Sequence, residues 1–238
     1  MSRIWITAHS GCEGTPDNSM ASILKGIELG ADCVEIDIRM DERGGLWLTH
    51  DAPENYSGVV PLGEALRVIA ENGVAVNCDI KQEALLYPVL EAAEGAGIPR
   101  ERLIFSGAVD VDLLRKDPSI VRRARIFLNL SQIYPHIPAT PPKDHEEEAA
   151  YFDAHIDEIA ALVRALGVEC VNPTFRIMPH ARIENARAHG ITLSLWTVNE
   201  EADQRALMTE DLVNMTTRNV SGALRARREV RENGDEYK

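Results

Sequence analysis

One pattern constrains the fold more than any other: a helical stretch ends in glycine, and a β-rich run follows within a few residues. The pattern occurs five times, at Gly30, Gly73, Gly97, Gly167 and Gly190. Glycine is common just after a helix because it adopts the left-handed conformation without strain from a Cβ atom. Short connections from a helix into the next strand are typical of parallel sheets built from βα units.

The β-rich runs predict eight main strands, over 4–9, 34–38, 76–80, 103–106, 126–130, 169–171, 193–198 and 213–216. A further short strand, 46–50, is predicted to form a hairpin with the second main strand through 41–45. Eight strands alternating with helices favour a single-domain α/β fold, the (β/α)8 TIM barrel. An open doubly wound sheet is the alternative. The 238 residues fit one such barrel.

Within this outline we expect a barrel domain over 1–224 and a charged C-terminal tail over 225–238, partly helical and frayed at 233–238. The clearest helix is predicted over 146–166, where one apolar stripe ends at Gly167. A proline-rich loop, 135–142, follows the fifth main strand.

Charge and composition narrow the range of partners. With 38 acidic against 25 basic residues the formal net charge is −13, so we expect no nucleic-acid partner. No run approaches the roughly 18 apolar residues that a membrane span needs, so no stable membrane insertion is expected. The four cysteines form no C-x-x-C pair. Together with the lack of an export signal, this predicts buried reduced thiols and a cytoplasmic location.

Acidic side chains alternate with aliphatic ones on the second predicted strand. Glu35 and Asp37 share one face and the aliphatic residues share the other. In a barrel the aliphatic face packs against helices, which leaves two carboxylates inside at a high desolvation cost unless a cation or hydrogen bonds compensate. Asp79 and Lys81 repeat the arrangement on the next strand. Three carboxylates on adjacent strands predict a site for a hard divalent cation, Mg²⁺ or Ca²⁺. A buried Asp–Lys pair or a salt-bridge network at the rim is the alternative.

Two histidines lie at the ends of strands that flank these carboxylates. His9 ends the first strand and His50 ends the hairpin strand. Because imidazole titrates near neutral pH, two of them across one site can supply a general base and a general acid. Either one alone could equally be a hydrogen-bonded residue at a strand end. Their occurrence together with the charged residues above favours a catalytic site.

The chain resembles the glycerophosphodiester phosphodiesterase family of metal-dependent TIM barrels. The motifs that carry this resemblance run in order from the first strand to Thr217. They are Ala8-His9-Ser10-Gly11, Pro16-Asp17-Asn18-Ser19, the run from Gly30 to Ile38 that contains Glu35 and Asp37, Thr49-His50-Asp51, Pro61-Leu62, Asp79-Ile80-Lys81, Gly190, and Leu195-Trp196-Thr197-Val198-Asn199.

The resemblance implies a function and a set of roles. It implies metal-dependent hydrolysis of a small-molecule glycerophosphodiester to glycerol 3-phosphate and an alcohol. The implied divalent-cation ligands are Glu35, Asp37 and Asp79. His9 and His50 would be the acid–base pair, and Lys81 and Trp196 would contact the substrate. For Trp196 the alternative is that the indole only fills the top of the barrel.

The sequence departs from the family pattern at several points. Ser10 stands where the family has arginine, and Arg218 stands where it has aspartate. Since strand eight lies beside strand one in a closed barrel, we hypothesise that Arg218 binds substrate and supplies the charge that Ser10 lacks. The alternative is a solvated Arg218 and a weakened site. Asp79 replaces the usual glutamate, and the short segment between Asp51 and Pro61 leaves no room for the family's inserted domain.

These departures leave two other functions open. One is a related phosphodiesterase or lyase that acts on a larger, lipid-derived head group, because the chain is also similar in part to the sphingomyelinase D-type phospholipases. The other is a barrel that binds a phosphorylated metabolite without catalysis.

Overall fold

Eight parallel strands close into a barrel in the computed structural model, which describes residues 3–235 and the side chains of 3–230. Around the barrel the order is β7-β6-β5-β4-β2-β1-β9-β8, and β3 pairs antiparallel with β2 outside the ring. The strands are β1 (Trp5–Ala8), β2 (Cys33–Met40), β3 (Leu46–Leu48), β4 (Ala75–Ile80), β5 (Leu103–Gly107), β6 (Arg125–Leu128), β7 (Cys170–Val171), β8 (Ser194–Leu195) and β9 (Asn214–Thr217).

The ring closes between β7 and β8. Parallel bridges join Val171 to Leu193 and Thr174 to Trp196, although both strands are short. In an open doubly wound sheet the two outer strands would not meet. The predicted TIM barrel is therefore confirmed.

Helices cover the outside of the barrel, and glycines end several of them as predicted. Gly30, Gly73 and Gly167 directly follow α1, α2 and α8, each with positive φ. The helices are α1 (Met20–Leu29), α2 (Leu62–Asn72), α3 (Leu86–Gly95), α4 (Val111–Lys116), α5 (Ile120–Arg123), α6 (Leu130–Ile133), α7 (His145–Ala154), α8 (Ile156–Leu166), α9 (His180–Ala188), α10 (Glu201–Leu207) and α11 (Val220–Asp235).

The prediction of one helix over 146–166 is wrong, because the chain changes direction at His155. The backbone there has φ −121° and ψ 25°, which separates α7 from α8. The apolar stripe that suggested one helix begins only at Ile156 and belongs to α8. In α7, Tyr151 packs edge-on against Tyr134, with ring centroids 4.9 Å apart. Because α7 and α8 are separate helices, Tyr151 of α7 and the apolar stripe of α8 can pack against different neighbours.

Apolar packing fills the layer between strands and helices and also the lower end of the barrel. Inside the barrel a small cluster contains Cys33, Ile104, Phe127 and Cys170. Beside it the Arg125 guanidinium lies 4.4 Å from the centroid of the Trp5 ring. All four cysteines are free and buried, as the sequence predicted. The other end of the barrel is polar.

The C-terminal segment continues the helical layer. Helix α11 spans the beginning of the predicted tail, whose last residues, 236–238, lie outside the described residues. The division of the chain into 1–224 and 225–238 stays a prediction. In the described part of the chain, no helix combines the length and the apolar character that crossing a membrane requires.

Candidate active site

A polar cavity of about 550 Å³ opens at the carboxyl ends of the barrel strands. This end of a TIM barrel is where active sites are found, because the loops that follow the strands converge there. All eight residues predicted from the sequence line this one cavity. Its lining is His9, Asp17, Glu35, Asp37, His50, Asp51, Asp79, Lys81, Ser106, Asn129, Asn172, Trp196, Thr197 and Arg218.

Strand register brings the three carboxylates together. On β2 the aliphatic side chains are buried toward the helices, and Glu35 and Asp37 point into the barrel. The β2–β4 register places Asp37 beside Asp79. One carboxylate oxygen from each of Glu35, Asp37 and Asp79 lies within 4.8 Å of the other two.

Lys81 offsets part of this negative charge. Its Nζ lies 3.0 Å from Asp37 Oδ1 and donates a short hydrogen bond to Asp79. Burial alone would lower the pKa of Lys81, yet the two aspartates hold it above its usual value. Burial would likewise raise the pKa of Asp37, but Lys81 and a hydrogen bond from Asn18 hold it below its usual range. These three charges stabilise one another.

Glu35 makes no ion pair with Lys81, so its burial is compensated less. Burial raises its pKa to about 7, and although His9 opposes the rise, the neighbouring Asp79 and Asp37 add to it. The only hydrogen bond to its carboxylate from the described residues is a long one of 3.4 Å from Asn77 Nδ2. The Asn77 Oδ1 atom is itself buried with no partner among the described residues.

The donor set fits a hard divalent cation. It consists of three carboxylates, with the Ser106 hydroxyl bonded to one of them, and no thiolate or imidazole belongs to this cluster of described residues. Mg²⁺ and Ca²⁺ prefer such ligands, and either would supply the positive charge that Glu35 lacks. Glu35, Asp37 and Asp79 are the residues that would hold it.

The two predicted histidines differ in their surroundings. His9 Nδ1 lies 2.7 Å from the carbonyl oxygen of Ser10, and its Nε2 lies 3.6 Å from Glu35 Oε1. Because Nδ1 donates to that carbonyl, the neutral ring carries its lone pair on Nε2, toward the carboxylates. His50 stands at the rim, where its side chain is 64% exposed and its Nδ1 lies 3.0 Å from Asp51 Oδ1.

Ser10 does not occupy the place of a phosphate-binding group. It is buried, and its Oγ accepts a 2.6 Å hydrogen bond from the backbone N–H of Asn18. Arg218 lies beside the same loop, with Nη1 3.0 Å from Asp17 Oδ1, and it lines the cavity. Ala8 of β1 pairs with Thr217 of β9. The next residue on each strand, His9 and Arg218, therefore lies close to the other. The structure thus places a guanidinium at the rim near the first strand.

Several neutral residues that the sequence did not single out also shape the site. Asn18 donates from Nδ2 to Asp37 Oδ2 at 2.8 Å and accepts from the Asp37 N–H at 3.0 Å. Ser106 Oγ donates to Asp79 Oδ1 at 2.7 Å. Asn18 stands in one of the family-like motifs, which is a signal that could have found it. Ser106 ends a predicted strand but carries no charge to mark it.

Trp196 lies on the far side of the cavity and is 38% exposed. Its Nε1 donates a 2.9 Å hydrogen bond to the carbonyl oxygen of Asn172, which fixes the indole against the end of β7. The ring is therefore held by a polar contact as well as by packing.

Two curated relatives of this chain share one description. The chain matches no protein-family model. It is 23% identical over 250 residues to the glycerophosphodiester phosphodiesterase of Bacillus subtilis (strain 168), a match that covers 87% of this chain and 80% of that protein. A second relative of the same description, from Caldanaerobacter subterraneus, is 25% identical over 118 residues, or 36% of this chain and 49% of the relative.

This chain resembles the glycerophosphodiester phosphodiesterases. Solved structures with that description have the same fold. The enzyme from Thermotoga maritima superposes with a TM-score of 0.69 at 19% identity, covering 95% of this chain and 99% of that one. A phosphodiesterase from Oleispira antarctica, solved in complex with the product sn-glycerol-3-phosphate, gives 0.67 at 18% identity, covering 94% and 96%. The resemblance read from the sequence motifs is confirmed.

Proposed function

We propose that this protein is a metal-dependent phosphodiesterase that hydrolyses a glycerophosphodiester to glycerol 3-phosphate and an alcohol. One observation carries the proposal: His9, three carboxylates and Lys81 converge on one open polar cavity at the active-site end of the barrel. The relatives and their shared description support the same activity. Buried free thiols suit a reducing compartment, and we place the enzyme in the cytoplasm.

In the proposed reaction His9 is the general base and His50 the general acid. His9 Nε2 takes the proton of the attacking hydroxyl, which belongs to water or to the substrate. Attack by water gives glycerol 3-phosphate directly, whereas attack by the substrate hydroxyl gives a cyclic phosphate that water then opens to glycerol 3-phosphate. As the phosphorus–oxygen bond to the alcohol breaks, His50 returns a proton to the departing oxygen. The hydrogen bond from His9 Nδ1 to Ser10 supports the first role, because it keeps the Nε2 lone pair available.

Positive charge stabilises the phosphate while the phosphorus–oxygen bond to the alcohol breaks. A divalent cation on Glu35, Asp37 and Asp79 would polarise the phosphoryl group and offset its growing negative charge. Lys81 adds a fixed charge between the two aspartates, and Arg218 adds one at the rim. Trp196 forms the wall opposite the carboxylates.

The proposal is tested by assaying release of choline and glycerol 3-phosphate from glycerophosphocholine, with Mg²⁺, with Ca²⁺ and with a chelator. We expect turnover only with a cation. His9→Ala and His50→Ala should each lower kcat by a factor of about 10²–10⁴, as is usual for general acid–base groups. His180→Ala is the matched control, since His180 is exposed, bonds to Glu210 and does not line the cavity.

Other outcomes would identify the alternatives. A cyclic phosphate that accumulates as the final product, seen by phosphorus NMR, would indicate a lyase. Absence of turnover on glycerophosphodiesters and on lipid-derived diesters, with either cation, would contradict an enzymatic role and favour a binding protein.

A separate substitution tests Arg218. If its guanidinium contacts the phosphate, Arg218→Ala should lower kcat/KM by about 10- to 100-fold, the loss expected for one charged hydrogen bond. Arg205→Ala, which removes an exposed arginine paired with Glu201 and Glu229, should leave kcat/KM unchanged. Equal kinetics for both variants would show that Arg218 is a solvated rim residue.

A further inference from the structure

Asn172 carries a buried oxygen atom that nothing in the described residues satisfies. The residue follows β7, is 6% exposed and lines the active-site cavity. Its Nδ2 donates a 2.8 Å hydrogen bond to Asn129 Oδ1, but its own Oδ1 has no partner among residues 3–235. A buried polar atom without a partner is costly, so its presence calls for a group that binds there.

The two asparagines form a pair with defined chemistry. Asn129 uses its oxygen to accept from Asn172, which leaves an amino group on Asn129 and a carbonyl oxygen on Asn172. One donor and one acceptor also remain if both side-chain amides are rotated by 180°, which exchanges the positions of their oxygen and nitrogen atoms. A hydroxyl group both donates and accepts, so it is the simplest ligand that satisfies both atoms.

The pair is held rigidly. The Asn172 backbone N–H donates to the carbonyl oxygen of Leu128 at 2.9 Å, and its carbonyl oxygen accepts from Trp196 Nε1 at 2.9 Å. The carbonyl oxygen of Asn129 accepts from the N–H of Gln132 at 3.0 Å at the start of α6. The backbone of both residues is thus anchored to elements of the barrel.

The pair lies across the cavity from the carboxylates. Around the ring, β7 is four strands from β2 in either direction, so Asn172 stands on the wall opposite Glu35 and Asp37. A phosphate bound over the carboxylates would face this wall across the cavity. The Trp196 indole lies beside the pair and offers an apolar surface for carbon–hydrogen groups.

We propose that Asn172 and Asn129 form a hydroxyl-binding site that selects a polyol phosphate over an alkyl phosphate of the same length. The proposal rests on the proposed function, because that reaction has a glycerol phosphate unit in this cavity. Asn172 and Asn129 are positioning residues for that unit.

Isothermal titration of the full-length protein with Ca²⁺ present tests the proposal, using glycerol 3-phosphate and propyl phosphate as probes. The two probes have the same phosphate and carbon chain and differ only in the hydroxyls. We expect the parent protein to bind glycerol 3-phosphate at least tenfold more tightly. Asn172→Ala should weaken glycerol 3-phosphate binding about tenfold and change propyl phosphate binding less than threefold.

Asn129→Ala is a second variant on the less buried partner and should give a smaller loss with the same selectivity. Asn185→Ala on α9, whose side chain does not line the cavity, is the matched control and should bind both probes as the parent does. If Asn172→Ala weakens both probes equally, or if the parent does not distinguish them, the proposal is overturned.

The binding test is independent of turnover. A parent protein that prefers glycerol 3-phosphate and loses this preference in Asn172→Ala, but releases no choline, would contradict the proposed reaction and support the hydroxyl site. A parent that releases choline while the asparagine variants keep full preference for glycerol 3-phosphate would support the reaction and overturn the hydroxyl site.

Discussion

Glu35 is the residue at which burial and charge conflict most. It lies inside the barrel, near two other carboxylates, and its Oε1 is 3.6 Å from His9 Nε2. Asp37 and Asp79 share Lys81, whereas Glu35 does not contact it within salt-bridge distance. In the metal-free protein a proton is therefore the alternative to a cation at this carboxylate.

This conflict predicts a pH dependence of stability. With a folded-state pKa of about 7 against an ordinary 4.5, Glu35 keeps a proton in the folded protein that the unfolded chain loses. The free energy of unfolding should therefore fall as pH rises from about 5 to 8, by on the order of 2–3 kcal/mol from this group. Urea denaturation in chelator should show this fall in the parent and a smaller one in Glu35→Gln.

Glutamine keeps the shape of the side chain and cannot ionise, so the difference between the two proteins isolates this carboxyl. The same slope in both proteins would mean that Glu35 is already ionised throughout this range.

At the scale of the elements, the ends of β4 and β5 approach so closely that only glycine fits. Gly107, with φ 78°, ends β5. A Cβ atom on it would lie 2.3 Å from the carbonyl oxygen of Ile80 and 2.6 Å from Asp79 Oδ1. The close approach helps to fix the carboxylate of Asp79 against Ser106.

Gly107→Ala is accordingly predicted to damage both stability and the cation site. Gly97 has the same φ of 78° but nothing within 4 Å of its Cβ position, so Gly97→Ala measures the backbone strain alone, about 1 kcal/mol. Gly107→Ala should cost at least twice as much in the free energy of unfolding and should also weaken Ca²⁺ binding. Urea denaturation and calcium titration measure the two effects.

If both alanine variants lose the same stability and bind Ca²⁺ equally, the close approach at Gly107 has no role in the site.

For the whole molecule, the site joins elements that are far apart in sequence. His9 follows β1, the carboxylates lie on β2 and β4, and Arg218 follows β9. A ligand that binds only the folded barrel raises the free energy of unfolding by RT ln(1 + [L]/Kd), where [L] is the free ligand concentration and Kd its dissociation constant. A cation held by β2 and β4 should therefore stabilise the whole barrel.

We expect saturating Ca²⁺ to raise the unfolding midpoint by several degrees at pH 8, about 2–4 °C per kcal/mol for a domain of this size. Asp79→Asn should abolish most of this shift. Asp211→Asn, an exposed aspartate outside the cavity, should keep it. Calorimetry with and without chelator makes the measurement, and an equal shift in both variants would place the cation elsewhere.

The sequence by itself determined the features that are local. Helix-ending glycines and β-rich runs predict the strands, and alternation places Glu35 and Asp37 on one face of β2. The break at His155 could not be predicted because no glycine or proline lies between α7 and α8 to mark the end of a helix.

Only the tertiary structure decided which distant residues meet. Closure between β7 and β8, the Asp37–Asp79 register and the Asp17–Arg218 pair all depend on contacts between remote parts of the chain. Neutral residues such as Asn18, Ser106 and Asn172 were not predicted because a lone amide or hydroxyl is unremarkable in a sequence. The importance of such an amide or hydroxyl depends on whether folding buries the group and on which partner lies next to it. Both depend on residues that are distant in the sequence.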